Sequence, residues 1–314
     1  MSRSYGTIGD AKGFSAAVEA NRVARALKEG DKEELSRIIT ALSNRQRQEL
    51  KQAYFAETDK KLVDVLEKAT SGFHQTLLRS LLFTPVEYDI KELHRAIKGL
   101  GTDESALTEI ICSRTPEQLR SIRKNFQYAY GDSVEKWVEG DTSGDYKDIL
   151  IALLTKERDE SDQVDASQAK DDAYRLYSEG RGKSKVEFLE ILTTRNKFQL
   201  RKIFAEYESL SGMSIEKAIE KEFSGDAREA YLTIVDSATD RQKYFAARLY
   251  KSMVGWGTRD LDLIRAIIYR SEVDLKLVKD CYRETYEKSL EEHITGDTSK
   301  IYRDTLLMIC TGNI

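Results

Sequence analysis

One phrase occurs four times along this chain, and an internal repeat of that length constrains the fold more than any local pattern does. Each copy carries a turn, a helix that closes on an anchor residue, and a serine 29 positions later that opens an apolar segment. The anchor and serine pairs are Leu42 and Ser71, Arg114 and Ser143, Arg195 and Ser224, and Arg270 and Ser299. The repeats are assigned to 13–85, 86–156, 172–241 and 242–314, with a tail at 1–12 and a charged linker at 157–171.

Within a copy the apolar spacing is helical. Val86, Ile90, Leu93 and Ile97 step by 4, 3 and 4, which lines one helical face. Gly99-Leu100-Gly101 interrupts that face, and Thr102 reads as the cap of the next helix, with Asp103 and Glu104 in its first turn. Thr115-Pro116-Glu117-Gln118 has the form of a capping box with proline at the first helical position. Val134, Trp137 and Val138 mark a fourth helix, and Tyr146, Ile149, Leu150, Leu153 and Leu154 a fifth. No segment sustains period-two alternation, and the only prolines are Pro85 and Pro116. The expected fold is all-α, with about five helices in each repeat.

Composition excludes several classes. No stretch approaches the roughly 20 apolar residues of a membrane span; the purest apolar run is Ile149 to Leu154. The opening Met1-Ser2-Arg3-Ser4-Tyr5 lacks the apolar core of a secretory signal. Cys112, Cys281 and Cys310 are odd in number and widely spaced, as expected of reduced thiols in a cytosolic protein. They and the three histidines, His74, His94 and His293, show no zinc-ligand spacing. With 50 basic and 54 acidic residues the net charge is −4, a poor basis for nucleic-acid binding. An anionic surface would need positive charge from elsewhere.

That charge has a candidate source. Forty residues after Gly101, Gly182 and Gly257 stand Asp141, Glu222 and Asp297. Calcium takes 6–8 oxygens, commonly backbone carbonyls with a carboxylate. A Gly-x-Gly turn can aim several carbonyls at one point, because glycine tolerates positive φ. A single such turn is often only a turn, and an Asp before Thr-Ser often only caps a helix. The separation shared by three copies favours a site. Leu100, Arg181 and Trp256 lie between the glycines, at the loop tips, and are candidate lipid contacts; indole in particular suits a membrane interface.

Lys98-Gly99-Leu100-Gly101-Thr102-Asp103-Glu104, Gly140-Asp141-Thr142-Ser143-Gly144 and Gly255-Trp256-Gly257-Thr258 together resemble the annexins over nearly the whole chain. The resemblance implies four repeats in a curved disc that meets the membrane through calcium on its convex face. It implies calcium ligation by the carbonyls of Ile97, Gly99 and Gly101 with Asp141, and by those of Met253, Gly255 and Gly257 with Asp297. Glu104 and Asp260 match secondary calcium positions, which also suit ordinary helix-dipole partners. Ser178, Gly180, Gly182 and Glu222 form a possible third site, although Lys183 replaces the threonine and the preceding helix reads as about three residues short. In the first repeat Glu29 and Ala69 occupy the glycine and acid positions, so no such site is expected there. Asp89, Glu109, Arg114 and Arg270 match buried charged positions.

The expected activity is calcium-dependent binding to anionic phospholipid membranes. The protein would be cytoplasmic and join membranes peripherally when calcium rises, with self-association there possible. A calcium-independent helical-repeat interaction scaffold is the alternative. The enzyme motifs sought, among them a P-loop, Gly-x-Ser-x-Gly and His-Glu-x-x-His, do not occur, and no catalytic activity is expected.

Overall fold

The periodicity becomes five helices in each repeat. The computed structural model describes residues 5–99, 101–178, 184–255 and 257–314, and among them there are twenty helices and no strand. The first repeat holds α1 (Ala16–Glu29), α2 (Lys32–Thr40), α3 (Asn44–Thr58), α4 (Leu62–Ala69) and α5 (Gly72–Leu81). The second holds α6 (Pro85–Lys98), α7 (Glu104–Ser113), α8 (Pro116–Tyr130), α9 (Val134–Asp141) and α10 (Gly144–Thr155). The third holds α11 (Ala166–Ser178), α12 (Ser184–Thr194), α13 (Lys197–Ser211), α14 (Ile215–Glu222) and α15 (Gly225–Thr239). The fourth holds α16 (Arg241–Met253), α17 (Asp260–Ser271), α18 (Leu275–Tyr286), α19 (Leu290–Asp297) and α20 (Lys300–Thr311).

Local chemistry sets these boundaries. Thr115 and Gln118 form the expected capping box at the start of α8, with Pro116 at its first position. Ser43 with Gln46 and Ser289 with Glu292 do the same for α3 and α19. Asp165 accepts bonds from the backbone N–H groups of Ser167 and Gln168, so the chain is already helical at Ala166. The helix before the third turn is not short: α11 and α16 each run 13 residues and end at equivalent positions.

The helices gather into two units, Asp89–Arg241 and the remainder of the chain, which joins the first repeat to the fourth. In the latter, α2 and α5 pack against α20, and α5 also against α17, burying Ile38, Leu77, Leu78, Ile264, Ile267 and Leu306. In the former, α15 packs on α7 and α10, and α10 on α12, around Ile110, Ile149, Ile191 and Ile234.

The expected buried charges are present. Arg114 donates two bonds to Asp89, at 2.9 and 2.7 Å, with both groups buried. Arg270 is buried, pairs with Asp274, and places its guanidinium 4.6 Å from the centre of the Phe245 ring. Glu109 is fully buried. Cys112 and Cys310 are buried and Cys281 partly so, all three as free thiols. No described helix is long and apolar enough to cross a membrane.

Candidate metal centre

In the second repeat α6 stops at Lys98, and the chain turns before α7. The turn is closed by the Asp103 N–H, which donates to the Ala96 carbonyl at 2.9 Å, seven residues back. In the fourth repeat the Arg259 N–H reaches the Ser252 carbonyl at 2.7 Å, the same span. Gly101 at φ 85° and Gly257 at φ 82° occupy matching left-handed positions that glycine adopts without strain. Wide loops of this kind leave helix-end carbonyls unused. Among the described residues, no hydrogen bond from the turns ends on the carbonyls of Ile97, Gly99 and Gly101, or of Met253, Gly255 and Gly257.

The acids arrive from another helix. Asp141 is the last residue of α9 and Asp297 the last of α19. The following threonines, Thr142 and Thr298, are extended, and each turns its hydroxyl back onto a carbonyl of its own helix at 2.6 Å. The Thr102 hydroxyl then donates to Asp141 Oδ2 at 2.8 Å, and the Thr258 hydroxyl to Asp297 Oδ2 at 2.6 Å. Both acids are exposed beside the turns. The two repeats build the same junction of glycine turn and distant carboxylate.

This arrangement corrects one expectation. Thr102 does not cap α7. Asp103 does, accepting from the Ala106 N–H at 3.0 Å, and its other oxygen takes a 2.9 Å bond from Arg95. The hydroxyl of Thr102 is thereby left for Asp141. The bracing by Arg95 had no signature in the repeat pattern. In the fourth repeat burial pushes Asp260 upward in pKa, and the Tyr302 hydroxyl opposes that rise.

The donors suit calcium chemically: unused carbonyls and an exposed carboxylate are hard oxygen ligands. No three His, Cys, Asp or Glu side chains converge among the described residues, so a cation here would rest mainly on backbone oxygen.

The first repeat is built differently. Its helix α1 continues to Glu29, and the Asp31 N–H closes onto Ala26, only five residues back. The carbonyls that the wide loop leaves unused are thus absorbed by a tight helix end capped at Gly30. Thr70 repeats the extended geometry of Thr142, but the residue before it is Ala69, which has no carboxylate.

In the third repeat Gly180, Gly182 and the tip residue Arg181 lie outside the described residues, as do the tips Leu100 and Trp256. Ser178 ends α11 and Glu222 ends α14, the latter at the register of Asp141 and Asp297. Sequence reasoning passed over Lys185, which holds the place of Glu104 and Asp260. Its ammonium bonds Asp145 at 2.5 Å, and Asp145, with a further contribution from Glu222, raises its pKa.

Known proteins resemble this chain over nearly its whole length. A model of the annexin family fits four segments, residues 19–81, 88–153, 171–234 and 244–309. Annexin A13 from Homo sapiens is 41% identical over 315 residues, covering 98% of this chain and 99% of the relative. The solved structure of annexin III is similar at a TM-score of 0.95 and 36% identity, covering 98% of each chain. A calcium-bound structure of annexin (Sm)1 is similar at a TM-score of 0.88 and 29% identity, covering 98% of this chain and 93% of that one.

Proposed function

The chain belongs to the annexin family, and from that premise we propose that it binds anionic phospholipid membranes in a calcium-dependent manner, through the turns of its second and fourth repeats. The observation that carries this reading is the paired junction: Thr102 to Asp141 and Thr258 to Asp297, each tying a turn with unused carbonyls to an exposed carboxylate. That a related annexin has been solved with calcium bound supports the choice of ion.

Calcium, when bound, would supply the positive charge that a chain of net charge −4 lacks against an acidic lipid surface. Ile97, Gly99, Gly101 and Asp141 would hold it in one repeat, and Met253, Gly255, Gly257 and Asp297 in the other. These donors leave part of the 6–8 oxygen shell to lipid phosphate and water, so calcium and lipid each strengthen the other's binding. Two sites on one chain then sharpen the response through effective concentration. Leu100 and Trp256 at the tips are assigned to lipid contact, and Arg181 to phosphate contact in the third repeat. Glu222 gives that repeat a carboxylate in register, partly neutralised by Lys185. The protein acts by binding rather than catalysis, moving from cytoplasm to membrane as calcium rises.

The test is co-sedimentation with phosphatidylserine vesicles in calcium and in chelator. Pelleting in calcium alone is expected, and Asp141→Ala with Asp297→Ala should abolish most of it while the helical circular dichroism is retained. Equal pelleting of the double variant would refute the site assignment. Partner binding that ignores calcium, with no pelleting in either condition, would put the interaction scaffold in its place.

A further inference from the structure

Repeats two and three enclose a cavity of about 360 Å³ that the calcium turns do not use. It lies where the corner before α8, the segment 156–165 and the start of α13 meet the end of α15. Two polar groups in its wall lack the partners that burial demands. Ser237 is 8% exposed and its hydroxyl makes no hydrogen bond. Arg158 is partly buried and bonds through Nε alone, to the Arg195 carbonyl at 3.2 Å, with no carboxylate paired to it.

The absence of a carboxylate on Arg158 is not for want of acids nearby. The adjacent Asp159 is turned away, accepting from Asn196 at 2.6 Å and from the Ser161 N–H at 2.8 Å. Glu160 is held by Arg120 at 2.6 Å. These acids, with Glu117 and Asp162, are exposed at the rim. Arg241 also lines the cavity; burial first, and the repulsion of Arg241 as well, push the pKa of Arg158 down. The fully buried arginines, Arg47, Arg114, Arg265 and Arg270, each have an acid partner, which Arg158 lacks. A desolvated guanidinium with its end nitrogens unspent is poorly stable alone and well matched to a planar or tetrahedral oxyanion, which takes two parallel N–H bonds.

We propose that this cavity is a calcium-independent binding site for a small phosphate ester, with Arg158 clasping the phosphoryl oxygens and Ser237 donating to one of them. The volume exceeds what a bare phosphate fills, and Pro116, Phe198, Ile234 and Ala238 give the organic part an apolar wall. The ester is a free metabolite or the headgroup of a lipid; the chemistry recognised is the same.

The test is isothermal titration of the whole chain in chelator and low chloride, using inorganic phosphate and glycerol 3-phosphate as probes. Saturable binding of both is expected, tighter for the ester. Arg158→Gln should weaken it about tenfold or more, as loss of a charge-assisted pair does. Ser237→Ala should weaken it less, and Arg158→Lys should retain part of the affinity and serves as the control for folding. Asp141→Ala with Asp297→Ala should leave it unchanged, which separates this site from the calcium turns. Phosphatidate vesicles in chelator distinguish the sources: Arg158-dependent pelleting identifies a headgroup, and intact ester binding without pelleting identifies a free ester. The proposal is overturned if neither probe binds saturably, or if Arg158→Gln binds both as tightly as the unaltered chain.

Discussion

Thr102 donates its hydroxyl to Asp141 Oδ2 at 2.8 Å across 39 positions of chain, and this bond aims the carboxylate at the glycine turn. Thr102→Val removes the aim without removing the charge. A hydrogen bond of this class contributes about 1 kcal/mol, so calcium affinity in the presence of lipid should fall roughly three- to tenfold. Thr258→Val should act likewise in the fourth repeat. Calcium titration of vesicle binding measures it, and a tighter half-point in either variant would mean that the hydroxyl competes with the cation.

His74 should make stability depend on pH. It is 4% exposed, its Nε2 lies 2.8 Å from the Ser36 hydroxyl, and burial lowers its pKa from 6.5 to about 4. The folded state therefore resists a proton that the unfolded chain accepts. Stability attributable to this group is complete above pH 6.5 and is lost as pH falls toward 4, by about 3 kcal/mol. His94 and His293 are lowered by burial in the same direction and add to the same window. Thermal melts of the unaltered chain should drop across that interval. The His74→Gln variant should show a shallower slope there, and an identical slope would contradict the assignment.

Gly312 fastens the two ends of the chain. At φ 72° its added Cβ would fall 1.8 Å from the Thr7 carbonyl oxygen, a distance no rotamer relieves. Thr7 is buried, bonds the Ile309 carbonyl at 2.7 Å, and receives the Asn313 N–H at 3.0 Å. Gly312→Ala should therefore displace the N-terminal segment and destabilise the protein by about 2 kcal/mol or more. Limited proteolysis near Lys12 should accelerate at the same time. Unchanged cleavage would show that the segment is held by other contacts.

The buried pair of Arg114 and Asp89 offers a sharper measure. Arg114→Ala strands a buried carboxylate and should destabilise by about 3–5 kcal/mol. Replacing both partners, as Asp89→Leu with Arg114→Met, should recover most of that loss, because no unpaired charge remains. Urea denaturation of the two variants beside the unaltered chain tests it. A double variant as unstable as the single one would point to packing rather than charge.

Much of this was legible in the residues alone. Helices declare themselves through spacing at three and four positions, so Val86, Ile90, Leu93 and Ile97 specify a buried face before any coordinates exist. The constant offset from Gly101 to Asp141 and from Gly257 to Asp297 likewise survives in one dimension, because equivalent repeats fold to equivalent geometry. Hydrogen-bond choices are another matter. Thr102 and Asp103 can each cap a helix, and local sequence does not rank them. The outcome was decided by Arg95, which holds Asp103, and by α9, which delivers Asp141 to the threonine. The tight closure at Gly30 and the unpaired Arg158 belong to the same class of fact. Local spacing determined where the helices run and which residues share a register; the tertiary structure decided which polar groups find partners, because those partners come from segments distant in the chain.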